Sequence, residues 1–201
     1  MQNQRVQNPH IALAADWSSA LRSVTDGLGD DLAPQEVATL RDQLTELVWA
    51  DGCPRADSFF GHAQPPRYRR QLIAAAPDGG YTMLLIAWPP GYVTPLHDHA
   101  GLWGIELVLD GALQVDEYFS DGDGHAPTLQ PHRSLLLGSG DSAVFLDPAY
   151  VHRCRNLSLQ QPALSLHVYG GILDQFQSFV GVRDEQYRAS PQRAVLDAVS
   201  I

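Results

Sequence analysis

The chain has 201 residues, 44% of them hydrophobic, and 23 acidic against 13 basic side chains give a formal net charge of −10. At roughly 100–200 residues per domain one large core is expected, and the acidic balance excludes nucleic acid, whose phosphates need clustered Arg and Lys. All 13 basic residues are arginine, so lysine Schiff bases, lysine-anchored pyridoxal phosphate and the P-loop are excluded as well.

In chain order, residues 1–60 read as an N-terminal helical segment of a single domain spanning 1–201. A weak helix is expected over 13–28. From Pro34 a stronger one places Val37, Leu40, Leu44, Leu47 and Val48 at three- and four-residue steps, an amphipathic stripe that Gly52 and Pro54 end. Cys53 lies in a polar loop. From 65 to 182 come short apolar runs separated by turn residues such as Pro77-Asp78-Gly79-Gly80 and Pro89-Pro90-Gly91. Many short strands without intervening helices predict an antiparallel β-barrel or sandwich. Residues 183–201 read as a C-terminal tail, either covering chain or a short helix. Two cysteines make no secreted disulfide scaffold, no apolar run approaches 18 residues, and MQNQRVQNPHIALAADW lacks a signal-peptide core; a cytoplasmic protein without membrane contact is expected.

Eight histidines are present, at 10, 62, 97, 99, 125, 132, 152 and 167. His10, His62, His125 and His132 fall in loop-like surroundings. His97 and His99 form H-x-H, and on a strand both rings would point to one side of the sheet. They stand in a two-block frame, Gly91, His97, His99, position 104 and Gly111, then Gly140, Asp141, Pro148, His152 and Asn156. This frame resembles that of the cupins and implies a jelly-roll-like antiparallel barrel over 65–182 with His97, His99 and His152 converging inside it. Where many cupins carry a glutamate ligand, this chain has Gly104, and Glu106 is a weaker alternative. Three neutral imidazoles leave a divalent ion its full charge and favour an anionic sulfur ligand. Imidazole also suits zinc, copper and nickel, and zinc would give a hydrolytic site.

Two other segments have chemistry. In ALSLHVYG, Ser165, His167 and Tyr169 share one strand face, and Leu164, Leu166 and Val168 share the other. The polar face would line the cavity as a hydrogen-bonded relay, with the apolar face packing outward. In RYRRQLIAA, Tyr68, Arg70, Leu72 and Ala74 share a side; facing outward it would give Arg70 an external salt bridge, and facing the barrel it would aim a guanidinium inward. Such a charge needs an anionic partner, and its fork fits a carboxylate. Cys154 shares parity with His152 and reads as a small core hydrophobe; Trp88 and Trp103 wall the pocket or the core.

Tyr68-x-Arg70-x-Leu72, His97-Asp98-His99, His152-Arg153-x-x-Asn156 and Ser165-x-His167-x-Tyr169 together resemble the cysteine dioxygenase type I family, the thiol dioxygenases. The resemblance implies mononuclear non-haem Fe(II) held by His97, His99 and His152, and oxidation of a small thiol by O2 to a sulfinate. It implies that Arg70 and Tyr68 hold the substrate carboxylate, and that Tyr169 works beside the metal, set by His167 and Ser165. Animal members carry a cysteine seven residues after the first histidine that links to the tyrosine; Gly104 stands there in this chain, so that bond cannot form. They also carry Ser-Pro-Pro after the tyrosine, where this chain has Gly170-Gly171. L-cysteine is the expected substrate because of Arg70. The alternatives are 3-mercaptopropionate, whose enzymes usually have glutamine at that position, and a non-catalytic cupin that binds metal or a small acid.

Overall fold

Helix α2 (Pro34–Glu46) begins on Pro34, whose fixed φ suits the first helical position. The Ala33 N–H donates to Glu36 Oε2 at 2.8 Å, closing the helix start. Its Val37, Leu40 and Leu44 are buried, as the stripe requires. The stripe continues past the helix end at Glu46, because Leu47–Ala50 turn on i−3 hydrogen bonds and bury Val48. The weaker helix α1 (Ala15–Thr25) buries Trp17 and Leu21, and a short α3 (Ala56–Phe60) adds Phe59 and Phe60. The computed structural model describes residues 14–25, 28, 32–60, 66–121, 126–183 and 186–196; His10, His62 and His125 lie outside them.

Eleven strands follow among these residues: β1 (Arg69–Ala75), β2 (Thr82–Trp88), β3 (Leu96–His97), β4 (Gly104–Asp110), β5 (Ala112–Asp121), β6 (Thr128–Gly138), β7 (Ser142–Phe145), β8 (Tyr150–Asn156), β9 (Ala163–Tyr169), β10 (Gln175–Arg183) and β11 (Gln186–Arg193). One sheet runs β1-β2-β9-β4-β7; the other runs β10-β11-β6-β5-β8-β3 and closes from β3 back to β10. All the strand pairings are antiparallel. This is the mainly β antiparallel barrel with N-terminal helices that the strand and helix patterns predict, and it agrees with the cupin-type fold that the two-block histidine frame implies.

The five-stranded sheet is buried on both faces, so β2 and β9 contain no exposed residue. Met83, Leu85, Ile105, Leu107, Leu164, Leu166 and Val168 face outward and form one core with the three helices. Leu84, Ile86, Trp88, Val108 and Tyr169 face inward and form a second core with β5 and β8. Each buried Leu or Ile contributes about 1.5–3 kcal/mol, and this double burial makes the helical layer part of the barrel's support. Alternation along β9 thereby delivers Ser165, His167 and Tyr169 to the interior.

Four local expectations change. The H-x-H segment is hardly a strand, since β3 stops at His97 and His99 lies in the following loop. The expected tail carries β11, which pairs with β10 over Gln175↔Arg193 to Arg183↔Gln186. His132 sits on β6 rather than in a loop, its ring 4.9 Å from Phe119. A bulge between Leu72 and Ala74 turns Ala74 away from the Tyr68 side, so it pairs with outward-facing Met83. No helix among the described residues is long and apolar enough to cross a membrane.

Candidate metal centre

His97 on β3 and His152 on β8 are direct cross-strand partners, and such neighbours bring side chains together on one face. Their Nε2 atoms are 3.2 Å apart. His99 arrives from the loop, its ring centroid 5.3 Å from His97 and 4.7 Å from His152. One ring nitrogen from each of the three lies within 4.8 Å of the others.

The proton positions follow from the neighbours. His97 Nδ1 stands 3.0 Å from the Pro95 carbonyl oxygen, an acceptor only, so Nδ1 carries the proton and Nε2 the lone pair. His152 Nδ1 also faces acceptors, Glu106 Oε2 at 3.5 Å and, at 3.4 Å, Tyr150 Oη, whose own proton goes to Glu117, which places its proton there too. The two Nε2 lone pairs therefore point toward each other, a repulsive arrangement unless a cation lies between them. Two nitrogens about 2.1 Å from one ion at a right angle would stand about 3 Å apart. His99 is 2% exposed and neither of its ring nitrogens has a hydrogen-bond partner among the described residues. Such orphaned buried atoms are rare and fit an ion as the missing partner. Burial, joined by the electrostatic influence of the adjacent His152 ring, pushes His97 down to about 3 and His99 well below the ordinary histidine range. Both rings stay neutral, the form that binds metal.

Phe145 closes the position of the general cupin glutamate. A Cβ on Gly104 would meet its ring at 2.1 Å. The same ring stacks on His99 at 4.4 Å and on Tyr150 at 4.6 Å, so packing rather than hydrogen bonding holds the His99 plane.

The relay face of β9 lies opposite. Trp88 Nε1 donates to Ser165 Oγ at 2.7 Å. Ser165 has one proton, which goes to His167 Nε2 at 2.8 Å, so a neutral His167 is protonated on Nδ1. That nitrogen faces Tyr169 Oη at 3.1 Å and Glu106 Oε1 at 3.3 Å. Tyr169 cannot donate to a protonated nitrogen, and its own O–H proton is left for the cavity it lines. Burial, reinforced by Glu106, pushes the Tyr169 phenol and the Cys154 thiol well above their usual ranges, so both remain protonated.

A cavity of about 270 Å³ opens beside the histidines, lined by Tyr68, Arg70, Tyr92, His97, Phe176 and Ser178 among others. Tyr68 stacks on Tyr92 at 4.5 Å and meets Trp88 edge-on at 5.3 Å. The Arg70 guanidinium lies 5.8 Å from the Phe176 ring and 6.0 Å from Tyr68. Among the described residues no carboxylate is ion-paired with it.

Sequence reasoning underrated Glu106. Glu106 is 3% exposed, and its carboxylate lies between His152 and His167, within 3.6 Å of Cys154 Sγ. Burial is the largest single effect and raises its pKa; the electrostatic and hydrogen-bonding influence of the adjacent His152 and His167 opposes it, and the net result holds the carboxyl well below the usual range. It does not join the three-histidine group. The available signal was parity: on β4, residue 106 shares a face with 104. Trp88, rather than Trp103, belongs to the cavity; Trp103 packs against Gly170, where a Cβ would meet Nε1 at 2.0 Å. Cys154 is buried, as core reading has it, but beside Glu106 and His152. Cys53 lies in the loop after α2, as its sequence surroundings suggest, and is buried against the helical core. Asn156 has a structural task, donating to the carbonyls of Trp88, Pro89 and Gln161.

A family model described as Cysteine dioxygenase type I matches residues 35–181. The chain is 23% identical to the Homo sapiens protein named Cysteine dioxygenase type 1 over 151 residues, 75% of this chain and 72% of that one. It is 26% identical to the Rattus norvegicus protein of that name over the same shares. Among solved structures it is similar to TT1209 from Thermus thermophilus, with TM-score 0.42, 21% identity, and coverage of 56% of this chain and 90% of that one.

Proposed function

Because the chain belongs to the cysteine dioxygenase type I family, we propose that it is a thiol dioxygenase oxidising L-cysteine with O2 to cysteine sulfinate. Both oxygen atoms enter the product, so thiol plus O2 balances to the sulfinic acid. His97, His99 and His152 would hold Fe(II), with no carboxylate ligand. Bound there, the ion would supply the redox centre at which sulfur and dioxygen meet.

The protein's own residues bind and orient. Arg70 takes the substrate carboxylate, with the stacked Tyr68 and Tyr92 walling that end of the cavity. Holding the thiol this way beside the histidines supplies proximity. Tyr169 presents its O–H to the reacting end, and Trp88, Ser165 and His167 fix which way that proton points. The inner-face Leu84, Ile86 and Leu173 line the deeper part of the cavity and keep water from it.

The observation that carries the reading is Arg70, a guanidinium beside the three-histidine group without a carboxylate partner among the described residues. It calls for an anionic small molecule. The test is oxygen uptake by the Fe(II)-loaded protein with L-cysteine and with 3-mercaptopropionate. Cysteine-dependent uptake with sulfinate formed is expected. Preference for 3-mercaptopropionate would reassign the substrate, and stoichiometric zinc with no thiol-dependent uptake would make the chain a binding protein.

A further inference from the structure

A carboxylate with almost no solvent contact needs donors, and among the described residues Glu106 has no arginine partner. The polar groups that reach it are His152 Nδ1 at 3.5 Å, His167 Nδ1 at 3.3 Å and the Cys154 thiol at 3.6 Å. Its two oxygens divide the work, Oε2 toward His152 and Oε1 toward His167. Glu106 and His167 are cross-strand partners on β4 and β9, while His152 comes from the opposing sheet. The carboxylate therefore bridges the two sheets at the centre of the barrel.

We infer that Glu106 is a positioning residue that accepts the Nδ1 protons of both His152 and His167, tying the metal-binding ring to the tyrosine relay. This rests on the three-histidine reading above. The chemistry is specific. A carboxylate behind His152 fixes its tautomer with Nε2 free, orients the ring and raises its basicity. The same group holds the His167 proton on Nδ1, which turns the Tyr169 proton toward the cavity. It also places one negative charge inside a site whose three nearest ligands are neutral, compensating a divalent ion without occupying a position on it. Cys154 completes the arrangement as a third, weaker donor.

The test uses the full chain, stripped of metal, and Zn(II) as a diamagnetic probe. Zn(II) affinity is measured by competition with a chromophoric chelator for the wild type, Glu106→Gln and His97→Ala. The near-isosteric amide can accept from one imidazole but presents an N–H₂ to the other. A tenfold to hundredfold loss of affinity is expected for Glu106→Gln. Independently of any variant, long-range ¹H–¹⁵N spectra of the Zn(II)-loaded wild type should show Nδ1-protonated, slowly exchanging rings at His152 and His167. Unchanged affinity in Glu106→Gln, or a proton on Nε2 of His167 in the wild type, overturns the inference alone. Wild-type affinity that His97→Ala does not alter overturns the three-histidine reading and this inference with it.

Discussion

Phe145 fills the space that a side chain at position 104 would need: a Cβ built on Gly104 falls 2.1 Å from Cζ and 2.5 Å from Cε2 of that ring. The two residues are cross-strand partners on β4 and β7, and the ring they accommodate stacks on His99. A fourth protein ligand and a cysteine cross-link at 104 are excluded by this packing.

Gly104→Ala should lower stability by about 1–3 kcal/mol, the usual penalty of overpacking. In a Phe145→Leu background the added methyl should cost less. Thermal melts of the four proteins of this cycle measure the coupling, and strictly additive effects would separate the two positions.

Arg70→Gln should raise KM for L-cysteine roughly ten- to a hundredfold, since a charge-assisted contact contributes about 1.5–3 kcal/mol. Steady-state oxygen uptake reads this directly. An unchanged KM would remove Arg70 from substrate binding.

Tyr169→Phe and Ser165→Ala should reduce kcat more than KM, Tyr169→Phe by on the order of 10- to 100-fold for a lost hydrogen bond to a charged group. Ser165→Ala leaves the Trp88 N–H and His167 Nε2 without their shared partner. Its effect should be partly recovered by Ser165→Thr. Equal losses in KM and kcat would argue for binding rather than orientation.

Metal removal should lower Tm, and adding back Fe(II) anaerobically should restore it. Saturation at a hundredfold excess over Kd stabilises by about 2.7 kcal/mol. His97→Ala, His99→Ala and His152→Ala should each abolish the shift. A shift that survives all three substitutions would place the ion elsewhere.

Acid should destabilise the metal-free chain. His97 and His99 have pKa values below the ordinary 6.5 when folded, so the unfolded chain binds more protons once pH falls past that value. Their contribution is fully present above pH 6.5 and is lost as pH falls toward the folded value, about 3 for His97. Urea midpoints across this range should decline. Flat midpoints between pH 7 and 5 would contradict the assigned burial.

Much of this was legible in the chain itself. Local spacing carries the helix stripe, the strand parity of Ser165, His167 and Tyr169, and the two-block histidine frame, because each depends only on how neighbouring residues alternate. Parity misplaced Ala74 because a bulge inserts one residue without any sequence mark. QYRASPQR lacks apolar alternation, so β11 arises from tertiary pairing, with β10 over the segment 175–183 and with β6 at Gln186↔Thr128.

What the amino-acid order determined was which side chains of each element share a face, since a strand repeats every two residues and a helix every 3.6. What only the tertiary structure decided was which faces meet. Glu106 reads as one acid in an apolar strand until β4 and β9 pair and β8 closes over it. Phe145 reads as core until its ring is seen against Gly104 and His99. Those contacts join residues 41 to 61 positions apart, and pairing between strands, not their composition, sets such distances.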